Sequence, residues 1–126
     1  MADQFKEQGA FSWLELSTPD LAGSRAFYSR LFGWRTEPWS GAEDYALIKV
    51  GSREVGGMTP LRPGQRKPAG WGAYVTVTDV DATAAKAEEL GGKVLVPPTE
   101  IPRVGRFCVI QDPQGAVITA ITYRRP

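Results

Sequence analysis

Glu15 is the carboxylate whose setting most invites chemistry. In Phe11-Ser-Trp-Leu-Glu-Leu-Ser17 the residues alternate with period two, placing Phe11, Trp13 and Glu15 on one face of a strand and Leu14 and Leu16 on the other. A carboxylate flanked by aromatic rings is partly desolvated, which suits a general base or acid. The plainer reading is that Glu15 pairs with a cation or a backbone amide and holds the fold. Tyr74 is a second candidate, as a hydrogen-bonding group or an acid, although a strand tyrosine more often packs with its hydroxyl at the rim. Arg103 and Arg106 flank Gly105 and suit a carboxylate or phosphate, or are simply surface charge. Trp39 and Trp71 stand next to loops, where they would close over a ligand or cap the core. Cys108, the only cysteine, reads as buried strand filler. The chain has no histidine, so a papain-like nucleophile cannot be assembled and the commonest metal ligand is missing.

These residues need a scaffold, and 126 residues with 42% hydrophobic content allow one core but not two independent ones. A single domain over 1–126 is expected. Fifteen Lys and Arg against 14 Asp and Glu leave a net charge of +1, which gives no electrostatic reason to expect nucleic acid or an anionic membrane as partner. A small-molecule ligand remains the expected partner. The single cysteine excludes an intrachain disulfide, and the stretch from Met1 to Gly9 is too polar for a signal peptide, so a cytoplasmic location is expected.

After the first strand, Thr18-Pro19-Asp20 offers a capping hydroxyl, a proline for the first helical position and an early acid. Phe27, Tyr28, Leu31 and Phe32 then form a stripe at helical spacing that Gly33 ends. Strand-like runs follow around 35–39, 45–50 and 54–61, separated by Ser40-Gly41 and Gly51-Ser52. Residues 62–70 carry two prolines, two glycines and three cations and read as a solvated linker. The order then recurs: a strand over 72–78, a helix with Val80, Ala84, Ala87 and Leu90 on one face, a Gly91-Gly92 stop, and strands near 93–96, 105–111 and 116–122. Asp20, Leu31 and Gly33 each find a counterpart 59 residues on, in Asp79, Leu90 and Gly92, which argues for an internal duplication. Module one is expected at about 10–61 and module two at about 71–123. Asp112-Pro113-Gln114-Gly115 is fully explained as a tight turn between the last two strands, so Asp112 is not assigned catalysis.

Thr-Pro-Asp-Leu leading into Ala26-Phe27-Tyr28-Ser-Arg-Leu31-Phe-Gly33-Trp34, then Asp79-Val80-Asp81-Ala82, Ala87-Glu-Glu-Leu90-Gly-Gly92 and the Asp112-Pro113-Gln114-Gly115 turn together resemble the vicinal-oxygen-chelate superfamily. The resemblance runs from about Phe11 to Thr122 and is strongest toward actinobacterial glyoxalase-like proteins related to the mycobacterial 27-kDa antigen, some with two such domains. It implies an α+β fold in which two βαβββ modules form a curved mixed-sheet cleft with helices on the outer faces. It also implies a homodimer. In the family's metalloenzymes the first and fourth strands of each module supply metal ligands. Here those positions fall on Trp13, on Gly56 to Met58, on Gly72 or Ala73, and on Thr119. None is a histidine or carboxylate, so no metal and no cofactor is expected, nor metal-dependent glyoxalase or dioxygenase activity.

With the ligand positions as guides, the cleft face is expected to carry Phe11, Trp13 and Glu15 from the first strand and Tyr74 and Thr76 from its counterpart, with Val75 and Val77 on the helix side. Val117, Thr119 and Ile121 come from the last strand. Met58 and Arg106 complete the expected ligand-binding set of Phe11, Trp13, Glu15, Met58, Tyr74, Thr76, Arg106 and Thr119. An aromatic, mainly apolar pocket of this kind suits a small aromatic or hydrophobic metabolite held without turnover. The alternative is a metal-independent isomerase, cyclase or lyase of secondary metabolism, with Glu15 as base or acid assisted by Tyr74 or Arg106.

Overall fold

The computed structural model describes residues 3–39, 42–61 and 69–124; most of the expected linker, Arg62 to Pro68, lies outside the described residues. Two compact units emerge, one of Trp13–Gly72 and one of Ala73 onward joined by the N-terminal residues up to Ser12. The elements run β1 (Phe11–Thr18), α1 (Leu21–Phe32), β2 (Arg35–Trp39), β3 (Ala42–Val50) and β4 (Arg53–Pro60), then β5 (Gly70–Thr76), α2 (Val80–Glu89), β6 (Lys93–Ile101), β7 (Gly105–Gln111) and β8 (Val117–Tyr123). The βαβββ order therefore occurs twice. No helix among the described residues is long and apolar enough to cross a membrane.

In the first unit the sheet order is β2-β3-β4-β1, with β1 parallel to β4 and the other pairs antiparallel. Leu16 lies opposite Met58, and Met58 opposite Ala46, so these side chains form one row on the helix side. With Ile48 they make the buried core, against which Leu21, Tyr28, Trp34 and Val55 pack. Each fully buried aliphatic or Met side chain here contributes about 1.5–3 kcal/mol. Helix α1 starts from Asp20, whose carboxylate accepts the Gly23 amide at 2.9 Å, and not from Thr18. The Thr18 hydroxyl instead meets that of Ser24 at 2.7 Å. The apolar stripe expected on α1 is only partly used: Tyr28 packs inward, while Phe27, Leu31 and Phe32 stay 58%, 56% and 58% exposed. Tyr28 instead anchors an aromatic group, stacked on Phe32 and Trp34 and met edge-on by Trp71.

In the second unit the order is β5-β8-β7-β6, with β5 parallel to β8 and the rest antiparallel. Val77, Val80, Ala84, Cys108 and Ala120 form its core, with Val94 and Ile110 against them. Asp79 caps α2 as Asp20 caps α1, accepting the Ala82 amide at 3.0 Å. The far ends differ, because the left-handed residue after α2 is Gly91, one place before the Gly92 that the 59-residue offset selects. Leu90, expected on the buried face, is exposed for the same reason: α2 has ten residues where α1 has twelve. β6 runs well past Val96 through Pro97 and Pro98; it is an edge strand with two register shifts, where missing N–H donors cost little. The Asp112 to Gly115 turn is structural, its Asp112 carboxylate accepting the amides of Gln114 and Ala116 at 2.9 and 3.0 Å.

The N-terminal segment straps this second unit. Gly9 donates to the Thr76 carbonyl at 2.8 Å, Thr76 to that of Ala10 at 2.8 Å, and the Thr78 amide to the Gln8 side chain at 2.7 Å. Phe5 meets Tyr123 edge-on with ring centres 5.0 Å apart, and the Tyr123 hydroxyl pairs with that of Ser12 at 2.8 Å.

Candidate functional site

Strand parity divides each sheet into a helix face and an open face, and the first unit's open face carries the candidate chemistry. Glu15 lies opposite Gly57, and Gly57 opposite Leu47, in a row that continues to Glu37 on β2. Trp13 and Tyr45, two residues along from Glu15 and Leu47, share that face. The Trp13 indole N–H donates to the Tyr45 hydroxyl at 2.9 Å, and the Tyr45 hydroxyl donates to Glu15 Oε2 at 2.7 Å. An indole nitrogen can only donate. The phenol oxygen must therefore accept from Trp13, which turns its own proton toward Glu15 and fixes the direction of the chain. Trp39 stands against Tyr45 at 5.8 Å between centres with the rings 70° apart, so two aromatic surfaces meet at an angle beside the carboxylate.

Gly57 makes the chain possible. A Cβ at that position would overlap the Tyr45 phenol, so only glycine lets the β3 side chain pass over β4 to reach β1. Tyr45 is the member of this arrangement that sequence reasoning missed, and Gly57, placed there only within the Gly56 to Met58 ligand position, takes part by lacking a side chain. The available signal was the odd-numbered series Tyr45, Leu47, Lys49 on a strand whose partner carries a glycine pair, but the contact itself depends on register across three strands.

Met58 does not belong to the open face. It is completely buried beside Leu16, Ala46 and Ile48, one residue out of phase with Glu15 and Gly57. The expected ligand role is corrected to a core role. Phe11 is 68% exposed, and Trp13 and Glu15 are half-buried.

In the second unit, Tyr74 lies opposite Thr119, which lies opposite Val109, placing Tyr74 and Thr119 together on the open face as expected. Thr76 shares that face but is only 2% exposed, and its hydroxyl donates to the Gln4 carbonyl at 2.6 Å. The strap occupies it, so Thr76 is corrected from ligand contact to anchor. Arg106 has the parity of Cys108 and turns to the helix side, away from Tyr74 and Thr119. There it holds Asp81 through two bonds of 2.9 Å and approaches Glu100 at 3.5 Å, while Arg124 reaches Glu100 at 2.6 Å. These charges line an open groove of about 360 Å³ at the start of α2. The Arg106 guanidinium holds the Asp81 carboxyl below its ordinary range, and Asp81 in turn raises Arg106. With two carboxylates on it, Arg106 is an internal tie and not the expected ligand anchor. The groove contains none of Tyr74, Thr76 and Thr119, and its cations are matched by acids, so it carries less chemistry than the aromatic face. Cys108 is buried with its thiol pushed up by desolvation, which suits an inert core residue.

The positions where the metalloenzymes of the resembled family place ligands supply no suitable donor set. Trp13 offers an indole already bonded to Tyr45, position 57 has no side chain, and Thr119 is a neutral hydroxyl on the second unit's sheet. Among the described residues no three of His, Cys, Asp and Glu come together. The residues present do not fit the family's divalent ion.

Comparison with known proteins agrees with this architecture. The sequence profile of the Glyoxalase/Bleomycin resistance protein/Dioxygenase superfamily matches residues 10–119. CFP32 of Mycobacterium tuberculosis, provisionally named a glyoxylase, is 44% identical over 120 residues, which cover 91% of this chain and 44% of CFP32. DauV of Streptomyces sp. strain C5, named as an anthracycline biosynthesis protein, is 33% identical over 123 residues, covering 86% of this chain and 45% of DauV. The chain thus spans less than half the length of these relatives. Among solved structures, methylmalonyl-CoA epimerase of Streptomyces coelicolor aligns with a TM-score of 0.65 at 19% identity over 94% of this chain and all of the epimerase. Homoprotocatechuate 2,3-dioxygenase of B. fuscum aligns with a TM-score of 0.66 at 18% identity, over 95% of this chain and 33% of the dioxygenase. At such identities the structures speak for the fold alone. With the repeated βαβββ order, the profile match and the 44% identity to CFP32 in hand, the chain belongs to the glyoxalase/bleomycin resistance/dioxygenase superfamily.

Proposed function

We propose that this chain binds a small aromatic or hydrophobic metabolite, without a metal, against the open face of the first unit. The observation that carries the reading is the directed chain from Trp13 through Tyr45 to Glu15, with Trp39 beside it. Flat aromatic surfaces give a ligand contact area, and a fixed carboxylate gives it orientation, which is how small-molecule sites combine apolar walls with few polar anchors. The lack of a suitable donor set at the family's ligand positions supports metal independence.

A second reading is favoured by the same chain's direction and by the biosynthetic name of DauV: a metal-independent isomerase, cyclase or lyase of secondary metabolism in which Glu15 takes a proton from substrate. Tyr45 would then hold the base in place. One experiment separates the two. Protein incubated with a cell metabolite extract is washed, and the retained molecule is released and identified by mass spectrometry. A molecule returned unchanged supports binding; a converted molecule, with Glu15→Gln abolishing conversion while holding affinity within about tenfold, supports catalysis. Retention of nothing by wild type refutes both. Stoichiometric metal in protein purified without added metal refutes the metal-free reading.

The chain is also proposed to pair with a second copy of itself through α1. Phe27, Leu31 and Phe32 are an apolar stripe more than half exposed, and the relatives are long enough to cover the equivalent surface from within one chain. Light scattering is expected to give twice the mass of the 126-residue chain, and Leu31→Asp to halve it.

A further inference from the structure

From the strap over residues 3–10 we infer a second, latent binding face. The strap is a lid that opens apart from the core, and beneath it the second unit holds a surface for a small neutral molecule carrying a carbonyl and a phenyl ring. This goes beyond the first unit's face and does not depend on what that face binds. The duplicated strands locate the covered surface. Thr76 stands 59 residues after Ser17, so the row of Thr76 opposite Ile121 matches that of Ser17 opposite Thr59. Ser17 and Thr59 are half-buried, while Thr76 and Ile121 are each 2% exposed. What the strap sets against this row gives the ligand chemistry. The Gln4 carbonyl accepts the Thr76 hydroxyl at 2.6 Å, and the next residue, Phe5, turns its ring edge-on to Tyr123 with centres 5.0 Å apart. A carbonyl followed by an aromatic side chain on the adjacent residue is the pattern of an N-acyl phenylalanine, which a free molecule can supply in the strap's place.

The strap is built to move as one piece. The Asp3 carbonyl accepts the Lys6 and Glu7 amides at 2.9 and 3.1 Å, and its carboxylate accepts the Phe5 amide at 2.9 Å, so the segment holds its own turn. At its far end Gly9 has a φ of 88°, and a Cβ there would meet nothing within 4 Å. That residue is the hinge, and backbone conformation alone makes it favour glycine. Gln4, Lys6, Glu7 and Gln8 are exposed and Phe5 is half-buried, so little apolar surface holds the strap shut. Its fastening is polar. The Thr76 and Thr78 amides donate to the Ala10 carbonyl at 2.8 Å and the Gln8 side chain at 2.7 Å, whereas the Val77 amide between them donates to the Ile121 carbonyl at 2.9 Å. Opening of the lid frees the outer two amides and leaves the middle one bonded to the core sheet.

Amide hydrogen exchange on the whole chain tests the lid. The Thr76 and Thr78 amides are expected to exchange together, at least about hundredfold faster than the Val77 amide between them. Gly9→Ala strains only the closed form and is expected to speed both about tenfold, with Val77 unchanged. The latent surface is tested with N-acetyl-L-phenylalaninamide, which reproduces the Gln4 carbonyl and the Phe5 ring, followed by calorimetry and by the Thr76 and Tyr123 resonances. Apparent affinity scales with the open fraction, so Gly9→Ala is expected to bind this probe about tenfold more tightly than wild type, where the closed strap leaves the face largely unoccupied. Phe5→Ala removes the internal competitor without touching the hinge and should also gain affinity. N-acetyl-L-alaninamide, which lacks the ring, should bind neither variant. Exchange of Thr76, Val77 and Thr78 at one rate would overturn the inference. So would equal affinity of wild type and both variants for the phenyl probe, or no binding of it to Gly9→Ala up to about 10 mM.

Discussion

The two units use one strand order to opposite ends. In the first, the helix buries little, with Phe27, Leu31 and Phe32 left outside, while the open face of the sheet gathers Trp13, Tyr45 and Glu15 into a bonded chain. In the second, the helix seats Val80 and Ala84 in a core with Cys108 and Ala120, and the open face is tied down at Thr76 by Gln4 and at Tyr123 by Phe5. The duplicated backbone is a frame, and what differs is which side of each sheet has been closed. Where a strap covers the open face, polar groups such as Thr76 become anchors. Where none does among the described residues, the same strand positions carry groups that can meet a ligand.

Breaking each unit's own core gives the largest effects. Met58→Ala in the first unit is expected to cost about 2–5 kcal/mol, because a fully buried side chain leaves a cavity in a well-packed row, and thermal unfolding measures it. Had Met58 faced a ligand, the loss would appear in binding with little change in melting temperature. Thr76→Val comes next, at about 1–2 kcal/mol, since it removes a buried hydroxyl from the Gln4 carbonyl and loosens the strap. The accompanying sign is faster amide exchange at Gly9 and Thr76, whose bonds close the strap, with the first unit unchanged.

Gly57→Ala sharpens the contrast from the other side. It should leave the fold cooperative but push the phenol off Glu15, seen as a shift of the Trp13 indole signal together with loss of the metabolite retained by wild type. The smallest effect belongs to the outer charges. Asp81 is fully exposed, so Asp81→Asn should barely change melting at neutral pH. What the pair does contribute has a defined sign. Asp81 is held below its ordinary range in the folded chain, so the contribution is present above the unfolded carboxylate's range and is lost as pH falls through the lower folded value. A melting-temperature difference between wild type and Asp81→Asn that grows on acidification would contradict this. Cys108 should stay unreactive toward a thiol reagent until the chain unfolds, because its side chain is buried and its thiolate disfavoured.

Most of the fold was legible because it rests on local signals. Period-two alternation found β1, aspartates marked both helix starts, and glycines marked the turns; the shared offset then linked the halves. The site was legible only along single strands. Trp13 and Glu15 could be placed on one face by counting, but Tyr45 joins them through a register that crosses β4, and nothing near it in sequence states that register. Met58 failed by one residue for the same reason, since a one-place slip exchanges core and open face. Thr76 and Arg106 were taken by partners distant in sequence, Gln4 and Asp81, whose approach depends on tertiary packing.

The four indole N–H signals give the most direct test of the claim that the first unit's open face is the binding surface. With the signals assigned by single replacement of each tryptophan, a set of small aromatic fragments is added to the folded chain. Binding at this face predicts that Trp13 and Trp39 move together and that Tyr45→Ala abolishes the movement, while Trp34, packed against Tyr28, stays still. Fragments that bind the folded chain while leaving the Trp13 and Trp39 signals untouched would contradict it.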